Sequence, residues 1–281
     1  MTNVGDFCST TWTLAVYTWR EGMRKKTLIG FLILSVLTIF GSQFISAFLA
    51  ETTVGDVQAD VEVKLVKDIC VAVISIFGAL ITIFVSASAI PTEVENKVIY
   101  TVLSKPVRRF QYLLGKFLGV QLIVIVNLAL MGGLFFVALW AKQHILTTLL
   151  LWAILLTYFE FLILSAFTFA LSCTATSAVL PTIGGLFIFL TGNLTEHLRD
   201  VANRAGQTGQ LLDTMMGYVA EALYRVLPNL QQFSVRYQIL YSRPNEPLRG
   251  VPVPNLILYG LIYALAGYLI AYWIFRRKEM A

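Results

Sequence analysis

The stretch Pro91-Thr92-Glu93-Val94-Glu95-Asn96-Lys97-Val98-Ile99-Tyr100-Thr101-Val102-Leu103-Ser104-Lys105-Pro106-Val107-Arg108-Arg109-Phe110-Gln111-Tyr112-Leu113-Leu114-Gly115-Lys116 joins two long apolar runs, residues 69–91 and 117–141. Glu93 and Glu95 precede an apolar stripe of Val94, Val98, Tyr100–Thr101 and Leu103, and Pro106 disfavours helix through Lys105. The pattern predicts a short helix, a break, and a second helix leading into the next apolar run. Acidic residues in its first turn suit the positive end of the helix dipole, and Lys105, Arg108 and Arg109 follow its negative end. The same residues also read as an ordinary basic loop beside membrane spans.

Working outward, apolar runs recur at roughly 27–49, 69–91, 117–141, 147–172, 178–194 and 253–275. Each has about the length needed to cross hydrocarbon some 30 Å thick at 1.5 Å per residue. Across the 281 residues, 57% are hydrophobic and only 13% charged, and the mean hydropathy is +0.75. Soluble domains carry about a quarter charged residues, so a water-soluble fold is excluded. Backbone groups in lipid have no water to bond, and the runs lack the alternation of barrel strands, so the spans are helices. The expected fold is an all-α polytopic membrane protein with six transmembrane helices in a single membrane domain.

Twelve of the 21 Lys and Arg residues fall on the inside if the N-terminus is cytoplasmic, among them Arg20, Arg24, Lys25, Lys26, Lys97, Lys105, Arg108, Arg109 and Lys116. Six of the remaining nine lie in the long segment 195–252, whose length weakens their vote. Both termini are therefore expected in the cytoplasm. The first run is too long for a signal peptide and ends without a small-x-small site, so it reads as an uncleaved span. The net charge of +5 sits in clusters flanking the spans, where orientation and anionic lipid account for it and nucleic acid does not.

Before the first span, Trp12, Val16, Trp19 and Met23 form one apolar stripe at helical spacing, and residues 1–26 read as an interfacial helix on the inner leaflet. Residues 51–68 carry Glu51, Asp56, Asp60, Glu62 and Asp68 without the spacing of a calcium loop, and read as a solvated external loop. In the outer segment 195–252, Leu211, Met215, Val219, Leu223 and Val226 mark an amphipathic helix that Pro228 ends. Glu160 is the one ionisable residue deep in a span. A charged carboxylate there costs about 2.5–3.5 kcal/mol, so it should be protonated, paired or facing a water-filled cavity, as a pathway site or as a structural hydrogen bond. Gln121 and Asn127 read as interhelical hydrogen-bonding groups, and Gly132-Gly133 and Gly184-Gly185 as points of close helix approach. Cys8, Cys70 and Cys173 form no metal or disulfide pattern.

The Glu-x-Glu helix, Leu103-Ser104-Lys105-Pro106-Val107-Arg108-Arg109 and Tyr112-Leu113-Leu114-Gly115-Lys116 resemble the loop of ABC-2 type permeases, the transmembrane subunits of type V ABC exporters. Leu227-Pro228-Asn229-Leu230-Gln231-Gln232-Phe233 before the last span and Phe275-Arg276-Arg277-Lys278-Glu279 after it add to the likeness. The resemblance implies a bacterial or archaeal cytoplasmic-membrane permease, a homodimer above two copies of a P-loop ATPase subunit that binds the ATP and Mg. It implies that residues 92–116 are a cytoplasmic coupling loop, with Glu93, Glu95, Lys105, Arg108 and Arg109 as polar contacts to the ATPase. It also implies re-entrant outer helices before the last span and an exported, amphiphilic substrate. The chain holds no phosphate-binding glycine loop, since Gly115-Lys116-Phe117 lacks the flanking pattern, so it is expected to be a non-catalytic subunit without a cofactor of its own.

Three other readings stand beside this one. A membrane-embedded enzyme needs catalytic groups that His144 and His197, the two histidines, do not assemble with a nearby acid and nucleophile. A proton-coupled secondary transporter using Glu160 would show repeated halves, which are absent from the sequence. An ABC-type complex that transmits force without transport would need the same cytoplasmic lever.

Overall fold

A computed structural model describes residues 4–51, 57–96, 108–143, 148–195, 228–234 and 252–277. Within them the chain is helical and no strand occurs. In order these are α1 (Val4–Met23), α2 (Lys26–Glu51), α3 (Val57–Ser88), α4 (Pro91–Glu95), α5 (Arg109–Gln143), α6 (Thr148–Thr174), α7 (Val179–Asn193), a 3-10 turn (Gln231–Phe233) and α8 (Val253–Arg277).

Among the described residues, five helices are long and apolar enough to cross a membrane: α2, α3, α5, α6 and α8. The expected fifth span, 178–194, is the 15-residue helix α7. At 1.5 Å per residue it reaches about 22 Å, short of the 30 Å hydrocarbon thickness. The expected external loop 51–68 also differs, because α3 begins at Val57 and carries most of that stretch as helix. No Gly or Pro interrupts residues 57–68, so nothing in that stretch breaks the helix. The amphipathic run 211–226, Lys105 and both histidines lie outside the described residues.

Helix α6 is the centre of the bundle and packs against α8, α3, α7 and α5. It runs parallel to α8, with Gly260 against Phe159 and Gly267 against Ala166, and antiparallel to α5, with Phe117 on Phe169 and Gly132 against Ile154. Helix α2, by contrast, turns Ile29, Ile33, Leu37, Phe40 and Phe44 outward as one exposed apolar stripe, and α8 does the same with Leu258, Leu261, Leu265 and Leu269. Such stripes belong in hydrocarbon or against another apolar helix.

Helix α1 lies along the first half of α5. Its seat is made of small residues: a Cβ on Gly115 would come 2.9 Å from the Thr11 carbonyl oxygen, and one on Gly119 2.8 Å from that of Ala15. Thr11, Ala15 and Thr18 are buried there, whereas the predicted stripe is rotated one residue round the helix, with Trp12 exposed and Trp19 and Met23 partly buried at the edge of the core. Close backbone approach, rather than apolar bulk, selects the buried face.

Candidate functional site

The α3–α4–α5 corner gathers the described part of the predicted loop. Helix α3 stops at Ser88, Ala89 N–H bonds the Ser86 carbonyl in a turn, and Pro91 opens α4 at a position where its missing N–H costs nothing. Helix α5 starts at Arg109, and the Gln111 side-chain carbonyl accepts the Arg108 backbone N–H just before it. This capping bond replaces one of the partners that the first turn lacks.

Glu93 points into the protein. It is 3% exposed, forms an ion pair with the Lys116 ammonium and accepts a hydrogen bond from the Tyr112 hydroxyl. Lys116 is 1% exposed and also lies 3.8 Å from the Glu21 carboxylate of α1 and 5.7 Å from the Tyr17 ring centroid. Lys25, in the link between α1 and α2, donates to Ser88 Oγ at 2.8 Å. Two carboxylates and two ammonium groups therefore meet where α1, α2, α3, α4 and α5 come together. The cavity among them, lined by Thr18, Glu21, Lys25 and Lys116, is only about 10 Å³, at the limit for a single water. Burial pulls the Lys25 ammonium below its ordinary value of 10.5; Glu21 and Glu93 oppose that shift and Lys116 adds to it.

The other predicted contacts face outward. Glu95, Arg108 and Arg109 are exposed. The Arg109 guanidinium donates to the Arg276 carbonyl at 3.1 Å, tying the start of α5 to the last turn of α8. Around it, Phe110 packs edge-on to Tyr268 and Tyr272, and Tyr112 stacks on Phe275 at 5.7 Å. The corner is thus clamped from two sides, by ions toward α1 and by aromatic rings toward α8.

Sequence reasoning did not find Glu21, Lys25, Tyr112 or Lys116 as members of this cluster. Two signals were present: Tyr112 and Lys116 are four apart on one face of α5, and Glu21 and Lys25 are four apart across the end of α1.

Glu160 stands elsewhere, on α6 in the middle of the bundle. It is 3% exposed, and the Asn193 side-chain amide at the end of α7 donates to it over a long 3.4 Å. Gln121 joins α5 to α6 through Ser165 Oγ at 2.7 Å, as an interhelical group. Asn127 instead bonds the Ile123 carbonyl of its own helix, because the spacing of four returns its amide to the preceding turn. Among the described residues no group of His, Cys, Asp and Glu is placed to hold a metal ion, and the three cysteines are unbridged.

A search of curated proteins found no match to this chain. A family model does match: that of the ABC-2 family transporter proteins, over residues 12–280. With that coverage and a bundle of apolar helices long enough to span a membrane, the chain belongs to the ABC-2 transporter family, as a membrane permease component that partners an ABC ATPase subunit.

Proposed function

We propose that the chain is the permease of an exporter driven by ATP hydrolysis in two copies of a separate P-loop ATPase, which alone binds ATP and Mg. Two permease chains pair as a homodimer in a bacterial or archaeal cytoplasmic membrane, with both termini cytoplasmic, and move an amphiphilic substrate. The coupling element is Glu93 to Arg109. The observation that carries this reading is the division of labour within α4. One carboxylate, Glu93, is buried against Lys116, while Glu95, two residues on, is exposed. A helix of five residues has too little surface to stay in place alone, and an internal ion pair fastens it to the body while its outer side is left for a partner. In this reading Glu93 fastens the element, and Glu95, Lys105, Arg108 and Arg109 meet the ATPase. A push on the outer side then displaces α3 and α5 together, because both are joined to the fastened corner.

The test is purification of the tagged chain from its native host in mild detergent, with mass spectrometry of what accompanies it at equal stoichiometry. A P-loop ATPase is expected with the intact chain. It should be lost when Glu95, Arg108 and Arg109 are charge-reversed together, with the permease still folded. A chain that purifies with no nucleotide-hydrolysing companion would overturn the reading.

A further inference from the structure

Glu160 borders a cavity of about 40 Å³ that is also lined by Ser75 of α3, Thr157 of α6 and Ser234 just beyond the 3-10 turn, with Val71, Ile74 and Phe135 as apolar walls. At about 10–15 Å³ for each probe-sized water, the space holds roughly three waters and excludes an amphiphile. Among the described residues its polar lining is one carboxylate and three hydroxyls. The Thr157 hydroxyl already donates to the Ala153 carbonyl at 2.9 Å. That donor set is too small to replace the shell of a dehydrated metal cation, which takes about six oxygens. It suits a chain of waters ending on a carboxylate. Ser234, which lines the cavity, is exposed and lies at the end of the bundle opposite Lys116. The placement of that end follows from the chain: Leu230 N–H bonds the Gly192 carbonyl at the end of α7, and the Tyr259 hydroxyl near the start of α8 accepts the Asn229 N–H.

We propose that Glu160 is a proton-binding site reached by water through this cavity. The carboxylate takes a proton from a hydronium ion in the cavity and becomes a neutral carboxylic acid, releasing one water; the reverse step returns the proton along the same route. In the ionised state it accepts the Asn193 N–H, a charge-assisted bond that ties α6 to α7. In the neutral state that bond loses its charge, and the tie between the two helices weakens. No other titratable side chain lines the cavity from α3, α5, α6 or the 3-10 turn among the described residues. The nearest along the chain are Cys70 beside Val71, Lys67 and Asp68 about one turn before Val71 on α3, and Tyr158 beside Glu160; α7 supplies Asn193 alone, and α8 supplies Tyr259 and Tyr263, packed on each other at 4.4 Å. The site is independent of how the chain meets its ATPase.

The test uses the purified full-length chain in lipid nanodiscs and infrared difference spectra taken between about pH 4 and about pH 9, the range spanned by exposed and buried glutamates. Beside the exposed carboxylates that titrate at the acid end of this range, one further carboxyl per chain is expected to change between its neutral and ionised bands, to move in frequency in Glu160→Asp, and to be the one missing from Glu160→Gln. Spectra of the wild type that show no such titration, or a band that Glu160→Asp leaves unmoved, would overturn the proposal even if Glu160→Gln failed to fold. The water route is checked separately. In a Cys8→Ser background, Ser75→Cys should react with a small water-soluble thiol reagent, and an unreactive thiol in the folded protein would refute access through the cavity.

Discussion

Replacing Lys116 by Met tests whether the charged corner holds the permease together. The substitution keeps most of the side chain's volume and removes only the ammonium. What remains is the Glu93 carboxylate, still 3% exposed, with the Tyr112 hydroxyl as its donor among the described residues. Because the adjoining cavity is at the limit for a single water, solvent cannot replace the lost partner. Removing one member of a buried ion pair costs about 3–5 kcal/mol. The bond from Tyr112, being charge-assisted, is worth about 1.5–3 kcal/mol and recovers none of that loss, since it is present in both proteins. Lys116→Met is therefore expected to lose about 3–5 kcal/mol in equilibrium unfolding of the purified chain in mixed micelles. Glu93→Gln in the same background removes the orphaned charge, so the double variant should recover at least about 1 kcal/mol of the loss and the cycle should be non-additive. Strict additivity, or a Lys116→Met variant within about 1 kcal/mol of wild type, would show that the two charges do not depend on each other and would refute the fastening argument.

Other expectations are smaller and independent. Lys25 binds its proton less tightly in the fold than in the unfolded chain, so stability should rise with pH through the window between its lowered folded value and 10.5. In Lys25→Met that rise should be absent from unfolding measured across the same alkaline range. Gly119→Ala would set a methyl group 2.5 Å from Thr18 Cβ and 2.8 Å from the Ala15 carbonyl oxygen; overpacking of this kind costs about 1–3 kcal/mol, and an unchanged melting temperature would mean that α1 sits more loosely on α5 than described. The Gln121 amide oxygen is buried without a hydrogen-bond partner, while its nitrogen bonds Ser165. Gln121→Leu combined with Ser165→Ala should thus be nearly neutral in the same unfolding assay, and a loss beyond about 2 kcal/mol would contradict that accounting.

The long spans are readable in the chain because hydrocarbon demands a fixed length of apolar helix, and α2, α3, α5, α6 and α8 supply it. Helix α7 is apolar enough to be read as a further span, and its 15 residues are fewer than a straight helix needs to cross hydrocarbon, a shortfall that composition does not report. The start of α3 was hidden for a different reason: charged residues 56–68 resemble a loop in any local count, though nothing in them breaks a helix. At the corner, a short helix was legible from the paired glutamates, but the break after Ser88 was not, because the apolar run reads on to residue 91; the predicted break at Pro106 lies outside the described residues. The inward direction of Glu93 was not, because its partner Lys116 is separated from it by a break in the chain and a new helix. For α1, helical periodicity pointed to the apolar stripe, but the buried face is the neighbouring row Thr11, Ala15 and Thr18, whose value lies in what it lets the backbones approach.

The seat of α1 on α5 also bears on how the protein is made. Glu21 and the small-residue face leave the ribosome long before Gly115, Lys116 and Gly119 do. With about 95 residues between Glu21 and Lys116 and synthesis at about 5–20 residues per second, the first helix waits roughly 5–19 s for its partner. For about the last two thirds of that interval α2 is complete and available for insertion while α1 does not yet have α5 to cover Ala15 and Thr18. The seat therefore forms late in synthesis, after α2 and α3, so a mutation in it acts on a step of assembly as well as on the finished protein.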